Sequence, residues 1–248
     1  MPVEPFQVLG AAQREAPRLS QPRLLIAGAT GILGTEVLRR VSGLHRFSST
    51  QVLAREPMRA GIRGTDALLV DDKQPLPEWP APAADTGLVM FDPPRLFNDR
   101  ERALWTPRPE QFVDVATWMR RGGVTTLVVV LPHDIGRLPA ALKRGLATLD
   151  EQSVCALGFS RLVIVRSARQ PLRAASRGWL HDVAAWMLSV TKYMVPSNQQ
   201  PVRAAKVAEF VAAVMEFAPP GIHVASSETV WQAAQTDVRG VVQRWLAP

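Results

Sequence analysis

The stretch from Arg23 to Val41 constrains this chain more than any other. Arg23-Leu24-Leu25-Ile26-Ala27 is a short apolar run without polar alternation, the pattern of a strand buried on both faces. It passes without a gap into Gly28-Ala29-Thr30-Gly31-Ile32-Leu33-Gly34 and then into Thr35 to Val41, where Val37, Leu38 and Val41 share one helical face. A strand buried on both faces needs helices on both sides of its sheet, so this unit predicts a layered α/β architecture.

The alternation recurs downstream. Strands are expected at Gln51 to Ala54, Ala67 to Val70, Gly87 to Phe91, Val124 to Leu131 and Arg161 to Val165. Helices are expected at Glu110 to Arg121, closed by Gly122-Gly123, and at Pro139 to Leu157, closed by Gly158. The fold class is therefore a doubly wound parallel sheet of the Rossmann-like kind. Residues 1–21 are polar and punctuated by proline, and read as an arm ahead of a single domain over 22–248. After the sixth strand the pattern loosens into an amphipathic segment, Trp179 to Val195, a helix at Val202 to Phe217 and a short strand at Gly221 to Val224. These pieces, around 171–220, are expected to cap the C-terminal edge of the sheet.

Glycines 28, 31 and 34 have a chemical meaning at that first turn. A pyrophosphate needs main-chain amides at a helix N-terminus, and side chains on a tight turn would block its approach. Glycine at 28 and 31 clears that approach, and at 34 it lets helix and strand pack closely. The expected ligand is a dinucleotide, held by Gly28, Thr30, Gly31, Ile32 and Leu33. An NAD site would place Asp or Glu after the second strand. This chain has Ala54-Arg55 there, and a guanidinium suits the 2′-phosphate of NADP. NADP is expected over NAD, with Asp71, at the end of the third strand, near the adenine.

The loop resembles the GATGxxG signature of the atypical short-chain dehydrogenases/reductases, the NAD(P)-binding group that includes the Tat-interacting-protein-like and NmrA-like proteins. The likeness continues in Leu69-Val70-Asp71-Asp72, in Ala156 to Arg166 and in Pro201 to Ala208, and so spans about Pro22 to Ala234. It implies a Ser, Tyr and Lys for catalysis, the last two spaced Y-x-x-x-K. Tyr193 is the only tyrosine, with Ser189 four residues before it and Ser197 four after. Val130-Leu131-Pro132-His133-Asp134 offers no serine after the fifth strand, and Lys143 has Pro139 where a tyrosine would stand. No catalytic residue is therefore assigned.

Three functions remain open on these residues: a non-catalytic dinucleotide sensor, an oxidoreductase using His133 and Asp134 for proton transfer, or a ligand-free scaffold. The scaffold draws on Asp92-Pro93-Pro94, whose rigid prolines border the expected adenosine cleft. The chain carries 29 basic and 22 acidic residues, a formal net charge of +7. Its arginines are spread from Arg14 to Arg244 without a stripe, so nucleic acid is not expected as a partner. A protein partner would meet the apolar face of 179–195. Cys155 is the single cysteine, which points to a reducing compartment, the cytoplasm. The four histidines are scattered, so no metal site is expected. No apolar run is long enough to span a membrane.

Overall fold

The computed structural model describes residues 21–57, 64–95, 98–133, 150–168 and 202–247. Seven strands form one sheet: β1 (Arg23–Ala27), β2 (Ser49–Ala54), β3 (Thr65–Leu69), β4 (Thr86–Met90), β5 (Thr126–His133), β6 (Arg161–Ala168) and β7 (Gly221–Ala225). Their spatial order is β3-β2-β1-β4-β5-β6-β7, and every neighbouring pair is parallel. Sequence order reverses direction between β1 and β4, which opens a crevice at the C-terminal ends of those strands.

Successive residues of each central strand serve opposite layers. Leu24, Ile26, Leu88, Met90, Val128 and Val163 face one core, whereas Leu25, Ala27, Val89, Leu127, Val129 and Ile164 face the other. This double burial is why the strands read as continuous apolar runs. On the first side lie helices α1 (Gly31–Ser42), α4 (Ala204–Phe217), α5 (Ser227–Gln235) and α6 (Val238–Leu246). The second side is covered by α3 (Phe112–Arg121), through Phe112, Val115, Ala116 and Met119, and by the helical residues 150–155, through Val154. A short helix, α2 (Asp99–Ala103), precedes α3.

The expected elements match to within a few residues, with two differences. The helix anticipated from Glu110 opens as a 3-10 turn at Pro109–Gln111, where the Gln111 side chain accepts from the Arg108 amide before α3 begins. More important, residues 204–225 do not cap the sheet edge. Helix α4 packs against α1 and the sheet with Val207, Phe210, Val211 and Val214 fully buried, and β7 pairs with β6 along five residues. The reason is visible in α4 itself: apolar residues occupy more than one face, which suits a helix sandwiched in a layer better than one lying over an edge. Trp179 to Val195, the other part of the expected cap, lies outside the described residues, as does most of Pro139 to Leu157.

Candidate functional site

The glycine turn has the geometry its sequence implies. Gly28 and Gly31 adopt φ values of +80° and +69°, conformations that L side chains rarely take. A Cβ on Gly28 would stand 1.9 Å from the Met90 carbonyl oxygen, and one on Gly34 would stand 2.6 Å from the Gly28 oxygen. The third glycine thus does what close helix–strand packing requires. At Gly31, however, the atoms that crowd in belong to the chain. A Cβ there would meet Asp92 Cβ at 2.9 Å and the Pro93 oxygen at 3.1 Å.

At the start of α1, the Gly31 amide has no partner inside the helix. It donates to Glu101 Oε2 at 3.0 Å, across 70 residues of sequence, and the Thr35 hydroxyl donates to Glu101 Oε1 at 3.2 Å. Glu101 is 0% exposed. Its carboxylate also accepts from the Arg95 amide (2.8 Å), Arg95 Nε (2.8 Å), Arg95 Nη2 and Asn98 Nδ2 (3.2 Å). Burial by itself would push the Glu101 carboxyl up. The hydrogen bonds from Arg95 and from the Gly31 amide, with the Arg95 charge, more than reverse that and hold it below the ordinary glutamate range. The guanidinium of Arg95 is raised in turn by its bond to Glu101.

The residues that follow Glu101 lie across the crevice. Leu104 forms an antiparallel bridge with Ala54, at the end of β2. The Arg55 amide donates to the Ala103 oxygen at 2.7 Å, the Trp105 amide to the Leu53 oxygen at 2.9 Å, and the Gly28 amide to the Trp105 oxygen at 3.2 Å. Leu104 and Trp105 are buried, and the Trp105 ring packs edge-on against Trp79 with centroids 4.9 Å apart. The chain has therefore laid its own main chain over the ends of β1 and β2.

Each residue expected to hold a dinucleotide has a definite place in this arrangement. Thr30 is buried; its hydroxyl donates to the Asp92 oxygen and shares a 2.7 Å hydrogen bond with the Thr106 hydroxyl. Gly28 and Gly31 bond to Trp105 and Glu101 as described. Ile32 is 64% exposed, Leu33 packs partly against the core, and their amides have no partner among the described residues. Arg55 pairs through Nε with Asp72 Oδ2 at 2.9 Å. Asp71 closes a turn, Oδ1 accepting from the Lys73 amide at 3.0 Å and its carbonyl from Trp79 Nε1 at 2.9 Å. A hollow of 370 Å³ remains beside Arg55, bordered also by Val70, Asp71 and Asp72. As arranged, the crevice does not fit a dinucleotide: the first amide of α1 already holds a carboxylate, and the ends of β1 and β2 already pair with 103–105.

Of the residues weighed for proton transfer, His133 ends β5, and Asp134 and Lys143 lie outside the described residues. Sequence reasoning missed Glu101, Arg95, Leu104 and Trp105. One local signal was present: Asn98 and Glu101 stand in the N-cap and third positions that often form a capping box. Half of that box forms, Asn98 Oδ1 accepting from the Glu101 amide at 3.3 Å, while the glutamate reaches Gly31 instead.

No protein-family model matches the sequence, and no curated protein matches it. Solved structures do match in backbone. A nucleoside-diphosphate-sugar epimerase from Staphylococcus aureus is 12% identical, with a TM-score of 0.51 over 87% of this chain and 78% of that one. The fold is Rossmann-like. Looser similarity extends to a Rossmann-fold NAD(P)-binding family protein from Shigella flexneri, 15% identical, with a TM-score of 0.46 over 79% of this chain and 87% of its own. It extends also to the ADP-L-glycero-D-manno-heptose-6-epimerase of Helicobacter pylori, 13% identical, with a TM-score of 0.47 over 89% of this chain and 83% of its own. At these identities the likeness is one of fold. Among the described residues, no helix is long and apolar enough to cross a membrane.

Proposed function

We propose that this chain is a non-catalytic protein built on the dinucleotide-binding fold, a regulatory or structural component rather than an oxidoreductase. The observation that carries this reading is the crevice itself, whose Gly28, Gly31 and Arg55 amides donate to Trp105, Glu101 and Ala103. A reductase must seat a nicotinamide beside a proton donor at every turnover. The sequence supports the same reading, since Tyr193 cannot supply Y-x-x-x-K and no serine stands directly after β5.

The ligand proposed for the crevice in an open state is NADP(H) rather than NAD(H). Arg55 borders the remaining hollow, and no acid directly follows Ala54 to receive a free ribose hydroxyl. Gly28, Thr30, Gly31, Ile32 and Leu33 would face its pyrophosphate, and Asp71 would lie toward the adenine. The test is calorimetric titration of the purified, nucleotide-stripped protein with NADPH, NADP⁺, NADH and NAD⁺, beside an assay for hydride transfer. Binding with preference for the phosphorylated pair and no turnover is the expected result. Turnover that His133→Ala abolishes would overturn it in favour of an enzyme with relocated acid–base groups. A folded protein that takes none of the four, even with its crevice opened, would be a scaffold, and the apolar pattern of 179–195 would be the first place to seek its partner.

A further inference from the structure

We propose that Arg95 and residues 98–106 act as an autoinhibitory plug, with the Glu101 carboxylate standing where a ligand's pyrophosphate would sit. This rests on the reading that the opened crevice takes a dinucleotide. Two kinds of contact hold the plug. One is ionic, a buried anion on the first amide of α1, which is the interaction a helix N-terminus offers to phosphate. The other is main chain to main chain, through Arg55, Leu53 and Gly28, along the strand ends that line the crevice.

The distribution of donors makes the plug separable from the crevice. Of the six hydrogen bonds that the described residues make to the Glu101 carboxylate, four come from Arg95 and Asn98, within the plug. The other two come from the crevice, from the Gly31 amide and the Thr35 hydroxyl. On release, Glu101 leaves together with Arg95, so no bare charge has to be drawn out of the protein. The segment is bounded by Pro93-Pro94 on one side and by Pro107 and Pro109 on the other, which stiffen its two ends. The crevice is also incompletely satisfied while the plug is in. The amides of Ile32 and Leu33 have no partner among the described residues, and they flank the amide that Glu101 occupies. An incoming pyrophosphate would therefore reach donors that the single carboxylate does not.

The experiment compares NADPH affinity, by calorimetry, in the natural protein, in Glu101→Gln and in a form with residues 98–106 replaced by a glycine–serine linker. Circular dichroism serves as the folding control, and the linker form stands in should Glu101→Gln fail to fold. Glutamine keeps the shape and removes the charge that grips Gly31. The expected result is an affinity at least tenfold tighter in the opened forms than in the natural protein. Equal affinity in all three would overturn the plug and leave dinucleotide binding standing. Absence of binding to any of the four dinucleotides in a folded linker form would retire the binding reading, and the plug with it. A second readout is independent of affinity: NADPH should loosen the protection of the Trp105 amide, which donates to the Leu53 oxygen, against hydrogen exchange in the natural protein, and unchanged protection at saturation would overturn displacement.

Discussion

Two helix starts in this molecule solve the same problem in opposite ways. At α6, Asp237 caps its own helix, accepting from the Arg239 amide at 3.1 Å and the Gly240 amide at 3.0 Å. At α1, Thr30 stands in the capping position but sends its hydroxyl to Asp92 and Thr106, and the Gly31 amide is met by Glu101 from a distant segment. The first solution is local and needs nothing beyond one turn of chain. The second forms only when the connection between β4 and α3 has folded across the sheet. At α1 the helix start has no local cap, and a buried carboxylate from elsewhere in the chain meets it.

The contrast can be broken at its strongest point first. Gly28→Ala, which sets a methyl 1.9 Å from the Met90 oxygen in a left-handed turn, is expected to cost on the order of 4 kcal/mol or to prevent folding, by urea unfolding. Glu101→Ala should cost about 3 kcal/mol, because it orphans the Gly31 amide and leaves Arg95 without its counter-charge. Asp237→Ala removes a local cap and should cost about 1 kcal/mol. If that loss equalled the loss at Glu101, the distinction between local and distant capping would carry no energetic weight. Arg55→Ala breaks a half-exposed pair with Asp72 and should change stability by no more than about 0.5 kcal/mol.

Acid sharpens the same comparison. Because the folded protein holds the Glu101 carboxyl below its unfolded value of about 4.3, its contribution is complete above that value and lost as pH falls through the lower folded one. The natural protein should therefore lose stability as pH falls below about 4. Glu101→Gln should flatten part of that acid limb, whereas an unchanged limb would mean that the carboxylate contributes nothing as an ion.

These cases also show what the sequence could reveal. The strand–glycine–helix unit at 23–41 was legible because Gly28 answers to Met90 in a neighbouring strand and Gly34 to the turn itself. The apolar runs at 127–131 and 162–165 were legible because burial of the strands on both faces leaves no polar residue to break them. Helix 204–217 was read as a helix but placed over the sheet edge, since periodicity reports that a face is apolar and not which layer will cover it. Glu101 was invisible for a harder reason. In Asn98-Asp99-Arg100-Glu101-Arg102 it looks like any charged residue at the start of a short helix, and its burial depends on a Gly31 amide 70 positions away. The pairing of Arg55 with Asp72, 17 positions on, was likewise not to be read from the sequence.

The tether between Glu101 and the crevice has a consequence for any competitor. A carboxylate held on a short length of the same chain presents itself at an effective concentration of about millimolar or more. A soluble phosphate compound must therefore exceed that local supply, or touch donors the carboxylate leaves free, before it gains the site. Simple dilution will not empty it, because this occupant cannot diffuse away.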